Sequence, residues 1–136
     1  MNIEALVEKQ KEFFLSGATL SVKFRIKMLL KLYQCIRKYE NEINEALKKD
    51  LGKCEFDSFV CETGLVLMEL NYMIRYTALY AKKHRVYTPI GQCIGSAYKK
   101  ASPYGNVLIM SPWNYPFLLT HRRAFVRNPR LFFRPR

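Results

Sequence analysis

The sequence predicts an α/β fold that is mostly helical, with one strand of a parallel sheet late in the chain. Apolar residues recur at helical spacing in three segments before residue 85, and Pro and Gly break that texture from Val86 onward. The third sign is Asn106-Val107-Leu108-Ile109-Met110, a short continuous apolar run between breakers. A chain of 136 residues with 49% hydrophobic content is long enough for one modest domain and too apolar to be wholly disordered.

The first helix is expected from Asn2 to Leu15, where Ile3, Leu6, Val7, Phe13 and Phe14 alternate with Glu and Lys, and Gly17 ends it. Ser21 can cap a second, longer helix, because its hydroxyl accepts from an amide of the next turn that lacks an intrahelical partner. Val22, Leu29, Tyr33, Ile36, Ile43 and Leu47 lie on one stripe of that helix, which Asp50-Leu51-Gly52 closes. A third helix spans about Glu55 to Lys83, with Phe59, Val66, Leu70, Met73 and Ile74 as its apolar face. Gly64 weakens it by about 1 kcal/mol relative to Ala and suggests a close helix-helix contact. These stripes read as core rather than as a cofactor site.

Cys93 to Ala101 has room for a strand pair or an extended arm, and Pro103-Tyr104-Gly105 forms a turn. Asn106 to Met110 then fits a strand buried on both faces of a parallel sheet. Pro116 is placed to open a further helix at its first position, with Phe117-Leu118-Leu119-Thr120 following.

The start of the chain mixes acids and bases and does not resemble a secretory signal, so the cytoplasm is the expected location. Ala101 to Thr120 carries no charged side chain, yet Pro103, Pro112 and Pro116 argue against a membrane span. Cys35, Cys54, Cys61 and Cys93 include no CxxC pair and no metal-binding spacing, so free, mostly buried thiols and no metal are expected. Half of the net charge of +12 comes from His121 to Arg136, which holds six arginines and no acid. All thirteen lysines precede residue 101, and this switch from Lys to Arg suggests a change of coding origin. A basic tail with Phe125, Phe132 and Phe133 interleaved has the chemistry to grip nucleic acid or an acidic surface, but such a run is more often a solvated tail.

In parallel-sheet folds ligands gather beyond the carboxyl ends of strands, the position that Ser111 to Tyr115 occupies. Two prolines flank Trp113-Asn114-Tyr115 and restrict the backbone, so the Asn114 amide can be presented in a defined direction to a developing oxyanion. On the residues alone, a turn former or helix cap is the plainer reading of Asn114, with Trp113 and Tyr115 as core aromatics.

The segment Pro103-Tyr104-Gly105-Asn106-Val107-Leu108-Ile109-Met110-Ser111-Pro112-Trp113-Asn114-Tyr115-Pro116-Phe117 resembles the signature of aldehyde dehydrogenases, in the branch that contains the dimeric class 3 and fatty aldehyde enzymes. Upstream, Phe24-Arg25, Ala46 to Lys53 and Val66 to Ile74 are similar to that branch in order and spacing, so the resemblance covers residues 1 to about 120. It implies an NAD(P)-dependent oxidation of long-chain or fatty aldehydes to carboxylic acids through a cysteine thiohemiacetal and a thioester. It also implies that Asn114 helps bind the substrate oxygen, that Met110, Ser111, Pro112 and Trp113 pass beside the nicotinamide and its ribose, and that Tyr115 lies near the substrate pocket.

The fold so implied is the helical amino-terminal part of the aldehyde dehydrogenase fold, with a possible strand pair and only the first strand of the Rossmann-like coenzyme domain. Residues 1–85 would pack on that domain, 86–104 would form an arm used in oligomerisation, and 105–120 would supply the strand and helix start. Residues 121–136 depart from the family pattern as an Arg-rich tail. Because the family's nucleotide-binding glycines, general base and nucleophilic cysteine have no counterparts here, the chain is expected to be a truncated or frameshifted aldehyde dehydrogenase without activity alone. On the same grounds NAD or NADP is not expected to be held by this chain alone. A homodimer or association with a full-length homologue is the expected assembly, and nucleic acid is not the expected partner.

Overall fold

In the computed structural model the described residues are 2–88, 91, 95–102, 105–125, 134 and 135. Helix α1, Ile3–Leu15, begins where the Asn2 side chain accepts from the Ala5 amide, and Gly17, at φ 76°, turns the chain after it. Ser21 caps α2, Val22–Lys38, by accepting from the Phe24 amide, as its hydroxyl predicts. The long second helix expected from the sequence is in fact two. Tyr39, at φ −104° and ψ 22°, leaves helical geometry and separates α2 from α3, Glu40–Leu51. Arg37 and Lys38 end one helix and Glu40 and Glu42 begin the next, so each charge pair sits at the helix end whose dipole it offsets.

The expected third helix is likewise divided. A short α4, Glu55–Ser58, runs into a π turn, Phe59–Thr63, and then into α5, Gly64–Tyr80. Gly64 does mark a close approach, but to its own helix. A Cβ there would lie 2.7 Å from the Phe59 carbonyl oxygen and 3.3 Å from the Phe59 ring. Phe59 itself stays about half exposed, unlike Val66 and Leu70, which are fully buried.

The core forms where α2, α5 and α6, Pro116–Phe125, meet: Ile36, Val66, Leu67, Leu70 and Leu118 are buried together. Leu29, Tyr33, Ile43 and Phe117 pack around them. Helix α1 departs from its expected role as core, since Ile3, Leu6, Val7, Phe13 and Leu15 are all exposed. Its attachments include the tilted Phe13 and Phe24 rings, 6.1 Å apart, and a bond from the Asn106 side-chain amide to the Val7 carbonyl.

The strand pair is present in reduced form. Strand β1, His84–Arg85, pairs antiparallel with β2, Tyr98–Lys99, and β3, Ala101–Ser102, with β4, Arg134–Pro135. The buried strand expected over Asn106 to Met110 is absent: these residues join no ladder, and Val107, Leu108 and Met110 are exposed. A strand needs a neighbour for its amides and carbonyls, and the described residues provide none beside this run. Helix α6 continues to Phe125, and Arg122 reaches Glu69 of α5 at 3.1 Å. The remaining tail at 126–133 lies outside the described residues, as does Cys93.

Cys35, Cys54 and Cys61 are free thiols, but Cys35 and Cys54 are exposed rather than buried. Cys54 occupies a helix start, where its sulfur accepts from the Asp57 amide, and such a position faces water more readily than a core position does. Among the described residues no helix is long and apolar enough to cross a membrane, and no three metal-ligating side chains gather.

Candidate functional site

Helix α3 ends at Gly52, whose φ of 67° belongs to the left-handed region that glycine adopts without a Cβ penalty. The chain turns there and sends Lys53 inward. Nine residues on, the π turn carries Glu62, which is fully buried. The extra residue in that turn changes the helix register and brings an acid onto a face otherwise occupied by core residues.

Both Glu62 oxygens are engaged. Oε2 accepts from the Phe117 amide at 3.0 Å and from the Leu118 amide at 3.1 Å, two first-turn donors of α6 that have no intrahelical acceptor. Pro116, with no N–H to satisfy, completes the first turn at no hydrogen-bonding cost. A carboxylate at a helix amino terminus also meets the positive end of the helix dipole. Oε1 accepts from Lys53 Nζ, so the buried acid is paired and not isolated.

Lys53 carries the connection onward. Its Nζ donates to the backbone carbonyl of Asn114 at 3.2 Å and stands 4.1 Å from the centre of the Tyr115 ring. One ammonium thereby fixes the backbone on which the Asn114 amide is mounted. At the other edge of the loop, Thr120 Oγ1 donates to the Pro116 carbonyl at 2.6 Å, and the Ser111 hydroxyl lies 2.7 Å from the same Thr120 oxygen. Since Thr120 has one hydroxyl proton, Ser111 is the donor in the second bond.

Of the residues singled out in the sequence, Ser111, Pro112, Trp113, Asn114 and Tyr115 thus lie on one loop entering α6. Trp113, 89% exposed, is not a core aromatic, and Met110 is 71% exposed. Asn114 is exposed as well, and its side chain is not engaged in the bonds that fix its backbone. Lys53 and Glu62 are not among the site residues to which the sequence pattern points. The available signal was a lone acid, Glu62, inside the apolar stretch Phe59 to Val66, and a lysine directly after the helix-ending Gly52.

The family model for the aldehyde dehydrogenase family matches residues 1–126. This chain belongs to the aldehyde dehydrogenase family. The match runs a few residues past the break expected at Thr120, in keeping with the continuation of α6. Among curated relatives, 4,4'-diaponeurosporen-aldehyde dehydrogenase of Staphylococcus aureus is 37% identical over 117 residues, which are 86% of this chain and 26% of that protein. Aldehyde dehydrogenase family 3 member B1 of Bos taurus is 33% identical over 114 residues, 84% of this chain and 24% of that protein. A solved structure titled as the substrate-bound state of Staphylococcus aureus AldH superposes with a TM-score of 0.86 at 36% identity, covering 91% of this chain and 27% of that one. The chain therefore has the amino-terminal architecture of an aldehyde dehydrogenase and spans about a quarter of the length of the relatives it matches.

Proposed function

We propose that the chain supplies the substrate-oxygen-binding loop of an NAD(P)-dependent oxidation of long-chain aldehydes to carboxylic acids, with Asn114 as the oxyanion donor. The observation that carries this reading is the buried attachment of the loop: Glu62 holds the start of α6, and Lys53 holds the Asn114 carbonyl. A donor mounted on a fixed backbone stabilises charge on the substrate oxygen without reorganising as the charge develops. NAD or NADP, when bound, supplies the hydride acceptor. The strip Met110, Ser111, Pro112 and Trp113 suits one flank of its nicotinamide and ribose, and Tyr115 borders the aldehyde chain.

In this reading the attacking thiolate is none of Cys35, Cys54, Cys61 and Cys93, and the chain alone turns over no aldehyde. Thiol attack needs a positioned, activated sulfur, whereas the Cys54 sulfur accepts a helix amide. A dimer arm in 86–104 and assembly with a full-length homologue belong to the same proposal.

The test is a chimera in which residues 1–126 replace the matching quarter of the staphylococcal relative. It should reduce NAD in the presence of a long-chain aldehyde, and Asn114→Ala should lower kcat by roughly a hundredfold or more, the usual loss on removing one oxyanion donor. Unchanged kcat in Asn114→Ala, or aldehyde-dependent NAD reduction by the purified 136-residue chain, would contradict the assignment.

A further inference from the structure

We propose that Lys53 and Glu62 are positioning residues for the Asn114 loop, an inference that rests on the assignment of Asn114 as oxyanion donor. Three separate segments converge on this pair: the turn after α3, the π turn before α5 and the start of α6. Glu62 is fully buried and both its oxygens are engaged, one by Lys53 and the other by the Phe117 and Leu118 amides. Lys53 in turn donates to the carbonyl of Asn114 and stands over the ring of Tyr115.

The arrangement does more than hold the fold together. A carboxylate bound only to α6 would fix the helix and leave the preceding loop held only at its far edge, by the Ser111 and Thr120 hydroxyls. The Lys53 contact extends the restraint by two residues, from Pro116 back to Asn114, at the carbonyl next to the Cα that bears the side-chain amide. A misplacement of about 1 Å at such a group can cost on the order of a hundredfold in rate. Lys53 thus acts through Asn114, and Glu62 acts through Lys53.

Two measurements test the pair. In the chimera, Lys53→Met should lower kcat roughly ten- to a hundredfold with KM little changed, and Lys53→Arg should restore most of the loss. In an Asn114→Ala background, Lys53→Met should add nothing, because two changes acting through one group are not additive. In the 136-residue chain itself, Trp113 is the lone tryptophan and adjoins Asn114, so its fluorescence anisotropy decay reports the order of the loop. Lys53→Met and the milder Lys53→Gln should each add a fast nanosecond component there, whereas Arg37→Ala, which removes an exposed arginine paired with Glu40 across the junction of α2 and α3, should not.

Full additivity of the two substitutions would overturn the inference. So would an unchanged kcat in Lys53→Met beside an impaired Asn114→Ala, or an unaltered Trp113 decay in Lys53→Gln. A chimera indifferent to Asn114→Ala would instead remove the oxyanion assignment, while a faster Trp113 decay would still identify Lys53 as the group that orders the loop.

Discussion

Individual residues at the α5 and α6 contact carry opposing electrostatic demands. Glu69 is largely enclosed beside Arg122. Burial raises its carboxyl above the ordinary glutamate range, and the guanidinium offsets part of that rise. With the folded-state value raised, the folded chain binds this proton more tightly than the unfolded chain does. The stability contributed by Glu69 is therefore greatest at low pH and is lost as pH rises from the ordinary glutamate value through the raised one. Compared with Glu69→Gln, the native chain should lose ground in urea midpoint across that window and hold a constant difference above it. A difference independent of pH would mean that Arg122 cancels the effect of burial, and one of opposite slope that it outweighs burial.

Secondary-structure elements were legible in the sequence where local chemistry decides them. Ser21, Gly17 and Pro116 mark their boundaries through a hydroxyl acceptor, a left-handed φ and a missing N–H, and all three act as those properties dictate. The break at Tyr39 was hidden because the apolar stripe continues from Ile36 to Ile43 across it. Its trace was the change from Arg37 and Lys38 to Glu40 and Glu42. The π turn left less sign, since a single added residue in a helix alters register without changing composition. The loop was legible through its two prolines, while the pair that holds it was not, because Lys53 and Glu62 come together only in the folded chain. Gly64 supplies a test at this scale. Ala usually stabilises a helix over Gly, but a Cβ at Gly64 would press on the Phe59 carbonyl at 2.7 Å. Gly64→Ala should therefore lower stability by about 1 kcal/mol or more in urea unfolding, and a stabilised variant would mean that the π turn does not constrain this position.

For the molecule as a whole, the helical core and the loop are two parts of one arrangement. The meeting of α2, α5 and α6 buries Ile36, Val66, Leu70 and Leu118, and the same contact seats Glu62 at the head of α6. On the other side of the loop Val107, Leu108, Met110 and Trp113 stay exposed, in the region where the sequence pattern called for a strand buried on both faces. A pattern of that kind reports the surroundings for which a segment is suited, and relatives about four times the length of the chain have far more polypeptide with which to supply them. In the function proposed above, Asn114 binds the oxygen of an aldehyde substrate. A crystal structure of the chimera with a long-chain carboxylate product bound tests it most directly. The Asn114 Nδ2 should lie within about 3.2 Å of a product oxygen, the usual hydrogen-bonding range, with its carbonyl still on Lys53. An Asn114 amide turned away, with another donor on that oxygen, would contradict the account.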